Sequence, residues 1–377
     1  MSDILQQIAD NLGVGSYPPL NNSYLYAIAD YYGVDTTTSK DLMADILTEV
    51  GGDPSTSSDY LKDIVLALGG TVTINGNWME AWLAITAAPP AFAFTAKTDN
   101  TGVSTSTQFQ LPLTTSTGLN ILVDWGDAST STITSHTDPA VTHTYASAGT
   151  YSISITGTLP GFQFNGVGDN LKILNISSWG VLDITTNSAF KGCTNLTCTA
   201  TDAPTITSTD LKQTFANCTN FNGNIGNWDT SGVNIMEGML TSATAFNQPL
   251  NWDTSAVDNM FRMFRSASAF NQPLNWDTSE VTNMGGMFQN ATAFNQNISA
   301  WDVSQVNYFR FFMTGKTFSN YDAANLDAIY NTWSLLSLQY TLTIDFGTIK
   351  YTAAGQAGKN ILLAAPNNWT IADGGGI

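Results

Sequence analysis

Residues 270–288 read Phe-Asn-Gln-Pro-Leu-Asn-Trp-Asp-Thr-Ser-Glu-Val-Thr-Asn-Met-Gly-Gly-Met-Phe, and variants of this unit recur from Leu171 to Phe318. One column of large apolar residues has spacings of 25, 25, 24, 24 and 24 residues: Phe190, Phe215, Leu240, Phe264, Phe288 and Phe312. A repeat of this length cannot bury its apolar face alone, so neighbouring repeats must stack. The pattern predicts about six coils around a continuous hydrophobic core.

Two further aromatic columns keep the same period. They are Phe221, Phe246, Phe270, Phe294 and Phe318, and then Trp228, Trp252, Trp276 and Trp301. Within one coil, Val281, Met284 and Phe288 lie at positions i, i+3 and i+7, which predicts one face of a short helix. The segment before each tryptophan is the candidate strand.

These units resemble the BspA-like leucine-rich repeats of bacterial and viral surface proteins. The resemblance implies a leucine-rich-repeat solenoid at residues 169–318 and a capping segment at residues 319–377, which contains Trp369. Members of the family share no catalytic residues. The resemblance therefore implies a binding protein and not an enzyme.

Residues 92–161 alternate apolar and polar side chains, which predicts strands. The motif Val-Asp-Trp-Gly-Asp-Ala at residues 123–128, followed by His-Thr-Tyr at residues 143–145, resembles a polycystic-kidney-disease (PKD) domain. Ala128 stands where that family has a glycine. The resemblance implies a PKD-like or immunoglobulin-like β-sandwich at residues 89–168.

Residues 1–88 carry short amphipathic helix patterns that each end near a glycine, such as Gly13 and Gly33. Short helices need a packing partner, so we expect a docking module, with a self-contained helical domain as the alternative. The predicted fold class is therefore multidomain and mainly β with short helices. In order, the parts are an N-terminal helical module, a β-sandwich, a leucine-rich-repeat solenoid and a C-terminal cap.

The charge balance excludes two classes of partner. The chain has 30 acidic and 12 basic residues and a net charge of -18, so it lacks the cationic surface that nucleic acids and anionic membranes require. No apolar run approaches the roughly 18 residues of a transmembrane span. We therefore expect neither nucleic acid nor membrane as a partner.

The residue types that carry chemistry are sparse, and we predict no catalytic residue, no metal site and no cofactor. Cys193 and Cys218 occupy a repeat column that continues as alanine, which indicates small buried residues. Two histidines are too few for an argued metal site. Four aspartates follow the column tryptophans, and we expect each to cap a helix rather than bind Ca²⁺: Asp229, Asp253, Asp277 and Asp302.

A binding face is predicted at positions that vary between otherwise similar coils. All three arginines of the chain lie in the repeats, and Arg262 and Arg310 are counted into one column with Gly286 between them. Ordinary variation of a solvated surface is the alternative explanation. The predicted site residues are Arg262, Arg265, Glu280, Gln289, Gln305 and Arg310.

The combination of parts predicts a non-enzymatic structural and display protein. Because no secretion signal precedes residue 1, we expect a tailed-phage virion protein, such as a head fibre, a decoration protein or a tail fibre. The N-terminal helices would bind other virion proteins, and the solenoid would bind a host-surface glycan or protein; self-association stays open. The alternatives are a secreted bacterial surface adhesin and, because two carboxylates suffice for glycoside hydrolysis, a polysaccharide depolymerase.

Overall fold

The computed structural model describes residues 90–377, and the helical module predicted at residues 1–88 lies outside them. Twelve short strands lie in the described part: β1 Phe92–Lys97, β2 Gln108–Gln110, β3 Asn120–Asp124, β4 Thr130–Ile133, β5 Thr142–Thr144, β6 Thr150–Thr158, β7 Ile173–Ser178, β8 Asp183–Ile184, β9 Thr197–Cys198, β10 Thr205–Ile206, β11 Thr343–Asp345 and β12 Thr370–Ala372. Its two α-helices are α1 Ala323–Trp333 and α2 Gln356–Leu363.

The main sheet has six strands in the order β4-β3-β6-β1-β7-β9, and β2 pairs with β5 in a separate two-stranded sheet. In the centre, Phe94 of β1 lies opposite Ile153 of β6 and Ile176 of β7, and all three side chains are buried. Strands β7 and β9 belong to the first coils. The sheet therefore runs from the predicted sandwich into the repeats, where β9 pairs parallel to β7.

A buried lysine joins the start of the repeats to the loop before β2. Lys172 Nζ donates hydrogen bonds to the carbonyl oxygens of Ser104 at 3.1 Å, Thr105 at 2.8 Å and Gln108 at 2.9 Å. Its carboxylate neighbour is Asp169, 3.8 Å away and also fully buried. The four partners satisfy a charge that burial alone would make costly.

The repeats stack through backbone hydrogen bonds between coils. Arg262 N donates to Gly285 O at 2.9 Å and Phe264 N donates to Met287 O at 2.9 Å, and the same pattern recurs in the coils on either side. Single parallel bridges mark the stack at one position per coil: Asp210, Ile235, Asn259, Asn283 and Tyr308. This ladder fixes which residues of successive coils are neighbours.

The predicted fold class is wrong. No helix lies between residues 90 and 322, and residues 169–318 do not form a closed solenoid of strands and helices. Each coil is built mainly from turns, because two positions per coil have a positive φ, which a right-handed helix cannot contain. These left-handed columns are Ser188, Gln213, Gly238, Arg262, Gly286 and Phe311, and then Gly192, Asn217, Ser242, Ser266, Asn290 and Gly315.

The aromatic columns themselves are confirmed in the central coils. The rings of Phe264 and Phe288 stack at 5.6 Å with an interplanar angle of 2°, and those of Phe270 and Phe294 stack at 6.1 Å and 3°. In the third column, Trp276 Nε1 donates to a carbonyl of the preceding coil, that of Leu250, at 3.1 Å. Burial of large rings in register supplies the hydrophobic core that the repetition predicts.

The last coil is out of the register that the sequence spacing predicted. Gly286 N donates to Arg310 O, whereas Arg262 N in the preceding coil donates to Gly285 O. Phe312 therefore follows Met287 in the stack and not Phe288. One extra residue between Phe294 and Trp301 accounts for the shift.

The second aromatic column also ends differently. Phe318 was predicted as its last member, but 49% of its surface is exposed. Tyr321 is buried at this end instead, and its hydroxyl donates to Gln296 O at 3.0 Å.

The C-terminal segment covers the last coil. Met313 N donates to Asp345 O in β11, and β11 pairs parallel with β12. Trp333 of α1 stacks on Phe309 at 5.6 Å, so the helix closes the apolar end of the core. Neither helix of this segment, nor any other stretch from residue 90 onward, has the length and apolarity of a membrane-crossing helix.

Candidate functional site

Three of the predicted site residues come together around one glycine. An ideal Cβ placed on Gly286 would lie 3.2 Å from Arg262 Cγ and 3.7 Å from Gln289 Oε1. Arg265 precedes Gln289 in its column, because successive coils bond Ser242 N to Arg265 O and Ser266 N to Gln289 O. The structure thus brings Arg262, Arg265 and Gln289 to one face of the stack.

Glu280 and Gln305 lie apart from that group. Both are exposed and share a column in the turn between the aspartate column and the ladder. Within residues 90–377, no hydrogen bond or ion pair connects either side chain to an arginine. The predicted binding face is therefore divided between two places.

Arg310 belongs to a different column from Arg262. By the ladder bonds it follows Phe261 and Gly285, and Phe311 takes the left-handed position that Arg262 and Gly286 hold in earlier coils. Arg310 still lies two coils from Arg262 on the same side of the stack. It is exposed, as is Arg262.

Exposed aromatic rings surround these arginines. The rings of Phe261 and Tyr308 lie 6.1 Å apart at 65°, and they meet above Gly285. A Cβ on Gly285 would lie 2.3 Å from Tyr308 Cε1, so only glycine leaves room for the ring. Tyr308 and Phe311 are 36% and 48% exposed. We call this surface the arginine–aromatic face, formed by Phe261, Arg262, Tyr308, Arg310 and Phe311 above Gly285 and Gly286.

The arginines of this region have no acidic partner. Between residues 90 and 377, none of the three makes an ion pair, although the chain carries 30 acidic residues. Arg262 Cζ lies 4.6 Å from the centre of the Phe261 ring, a cation–π contact that holds the guanidinium at the surface. Arg265 Nε is buried and makes no hydrogen bond in the described part. The side chains are positioned but their donors are free.

The aspartate column accepts turn hydrogen bonds instead of capping helices. Asp253 Oδ1 accepts from Ser255 Oγ at 2.7 Å and from Ser255 N at 3.0 Å, and Asp229 and Asp277 do the same with the serine two residues on. The Ser255 hydroxyl, followed by its amide, lowers the pKa of Asp253. A carboxyl group with a lowered pKa is unsuited to act as the general acid of a glycosidase.

The remaining reactive residue types are engaged in packing. His143 Nε2 lies 2.8 Å from Asp127 Oδ2 and its ring stacks on Trp125 at 4.7 Å. Burial raises the pKa of the Cys193 thiol well above its ordinary value. Across residues 90–377, no group of three or more histidine, cysteine, aspartate or glutamate side chains could hold a metal ion.

An open groove of about 670 Å³ lies at the junction of the last coil and α1. Its lining includes Asn271, Asn295, Phe318, Asp322 and Ile377. The asparagines are already used, because Asn271 Oδ1 accepts from Asn295 N and Asn295 Oδ1 accepts from Asp322 N, both at 2.8 Å. The groove therefore has fewer free donors than the arginine–aromatic face.

Sequence reasoning missed Phe261, Tyr308 and Phe311. None belongs to a repeated aromatic column, so the period did not point to them. Two signals were present: the Gly285–Gly286 pair interrupts the repeating unit, and Tyr308 stands in the bridge position that asparagine holds at residues 259 and 283.

A family model described as "Mycoplasma protein of unknown function, DUF285" matches the chain three times, at residues 163–251, 184–275 and 250–337. The overlapping matches confirm that this part of the chain is built from tandem repeats, and it is similar to the repeats of that family. No curated protein and no solved structure matches the chain. The leucine-rich-repeat and PKD resemblances stay predictions from the sequence.

Proposed function

We propose that this chain is a non-enzymatic display protein whose stacked repeats present the arginine–aromatic face for binding. The observation that carries the proposal is the set of unpaired arginines beside exposed aromatic rings, held on a hydrogen-bonded ladder. Tyrosine, phenylalanine and arginine are residue types enriched in binding surfaces. A rigid backbone lowers the entropy that binding must overcome.

The proposed place of display is the particle of a tailed phage, as a head fibre, a decoration protein or a tail fibre. Residues 1–88 would dock on other virion proteins, and the repeats would point away from the particle. The support for this location is the sequence resemblance to BspA-like repeats with a neighbouring PKD-like segment.

Co-sedimentation tests the location. Labelled full-length protein and a fragment of residues 90–377 are each mixed with particles of the phage whose genome encodes the chain. The fragment contains one compact unit, so it should fold alone. We expect the full-length chain to sediment with particles and the fragment to stay in solution. Equal sedimentation of both, or of neither, would contradict docking through residues 1–88.

The second candidate is a bacterial surface adhesin, favoured by one finding: the matching family model is described from Mycoplasma proteins. In this case the protein should be found on intact bacteria. Protease treatment of whole cells would then remove it, and purified phage particles would not contain it.

A further inference from the structure

The arginine–aromatic face has two chemical properties that select its ligand. Its guanidinium groups lack acidic partners within residues 90–377, so they are available to an anion. Its aromatic rings are exposed beside a floor of two glycines, so they are available to a flat, partly apolar surface. A ligand that satisfies both properties carries carboxylates and also presents the C–H faces of sugar rings.

We infer that this face binds a carboxylated polysaccharide, that is, a chain of sugars that includes uronic acids. The inference rests on the proposed binding function and names its ligand class. Arginine pairs with carboxylate through two parallel hydrogen bonds, a geometry that lysine cannot reproduce. Phe261 and Tyr308 offer the surface on which a sugar ring packs.

The spacing of the arginines suits a polymer. Arg262 and Arg310 are two coils apart, and parallel strand spacing of about 4.8 Å per coil separates their backbones by roughly 10 Å along the stack. That distance is about the length of a disaccharide. A polymer with one carboxylate per disaccharide can therefore reach both guanidinium groups while the sugar between them lies over Gly285 and Gly286.

The acidic residues of the protein do not prevent such binding. Exposed charges more than about 8 Å away are largely screened at physiological ionic strength. The nearest positions of the arginine columns are occupied by Gly286 and Gln289, which are uncharged. Binding should weaken as salt rises, because the guanidinium contacts lie at the surface.

Four polymers test the ligand class on the full-length chain: polygalacturonate, neutral dextran, polyglutamate and dextran sulfate. We expect polygalacturonate to bind about tenfold or more tightly than the other three, since only it combines sugar rings with carboxylates. Equal binding of polyglutamate would indicate an acidic protein partner. Equal binding of dextran or dextran sulfate would show that carboxylates are not read. Either result, or no binding at all, overturns the inference.

Two sets of variants test the site. Arg262→Gln with Arg310→Gln should weaken polygalacturonate binding about tenfold or more. The matched control, Lys97→Gln with Lys350→Gln, removes the same charge elsewhere and should leave the affinity unchanged. Similar losses in both double variants would indicate a non-specific charge effect and overturn the site.

The aromatic contribution has its own matched pair. Tyr308→Ala should weaken binding several-fold, whereas Tyr340→Ala removes a tyrosine that is 60% exposed outside the face and should not. Far-ultraviolet circular dichroism checks that each variant folds. A chain that joins particles but ignores polygalacturonate refutes this ligand class alone, whereas a chain that binds polygalacturonate but joins no particle refutes only the virion location.

Discussion

The central coils, residues 233–298, and the last coil, residues 301–321, are built from the same unit but used differently. In the central coils the position after the phenylalanine column is a fully buried alanine, as at Ala267 and Ala291. In the last coil the same ladder position is Lys316, which donates to Ala291 O at 3.1 Å and to Thr292 O at 2.8 Å. The lysine satisfies carbonyl oxygens that another coil would otherwise have covered.

The two regions also differ at the surface. Asn259 and Asn283 occupy the bridge position in the central coils, and Tyr308 replaces them in the last coil. The difference teaches that stacking dictates the repeated residues, while the end of the stack leaves positions free for other side chains. The candidate binding face lies where this freedom begins.

The largest expected effect separates two phenylalanines that the sequence placed in one column. Phe294→Ala should lower the free energy of unfolding by about 3 to 5 kcal/mol, because it empties a fully buried position of a central coil. Phe318→Ala should cost less than about 1 kcal/mol, because its ring is 49% exposed. Urea unfolding of both variants measures the difference. Equal losses would show that Phe318 does belong to the core.

The next effect concerns the lysine that ends the stack. Burial lowers the pKa of Lys316 to about 8, so between pH 8 and the ordinary lysine pKa the unfolded chain binds more protons than the folded chain. Stability from this group therefore rises with pH in that window, by roughly 1 to 2 kcal/mol between pH 8 and 9.5.

The matched comparison is wild type against Lys316→Met, unfolded with urea at both pH values. The buried cysteines and tyrosines titrate in both proteins, so their contributions cancel in the difference. We expect wild type to gain stability relative to the variant as pH rises. A constant difference would mean that Lys316 keeps an ordinary pKa.

A smaller effect tests why the coils are not helical. Ser266 has a φ of 58°, a conformation in which β-branched residues are strained, so Ser266→Val should cost about 1 to 2 kcal/mol. Ser268→Val, two residues on and outside the left-handed column, should stay within about 0.5 kcal/mol. Thermal melts compare the two. Equal tolerance of valine would favour the short helix that the spacing predicted.

The smallest expected effect is none. The carboxylates of Asp229, Asp253 and Asp277 already accept two hydrogen bonds each from serine, so the turns need no cation. Excess chelator or added Ca²⁺ should leave the melting midpoint of the full chain unchanged. A shift of many degrees would instead assign Ca²⁺ to this column.

The predictable part of the fold is the part that repetition enforces. The stacking of Phe264 on Phe288 follows from a regular period and the need to bury an apolar face. The short helix was wrong because i, i+3 and i+7 spacing also fits a coil of turns. Glycine and asparagine at left-handed positions, such as Gly238, Gly286 and Asn290, were the signal against a helix.

The site was predicted in part. The arginines stood out by composition, but counting 24 residues from Gly286 placed Arg310 in the wrong column. The tryptophans carried the correct register, because Trp276 and Trp301 are 25 residues apart. Tyr308 and Phe261 could not be found from the period, since their pairing depends on the fold bringing both rings over one glycine.

Arginine footprinting tests the central claim most directly, because the chain contains only three arginines. Phenylglyoxal modifies exposed guanidinium groups, and mass spectrometry of peptides measures the extent at each residue. With polygalacturonate present, we predict that modification of Arg262 and Arg310 falls sharply, while dextran leaves it unchanged. Protection that is absent, or that dextran produces equally, would contradict a carboxylate-binding face at the end of the stack.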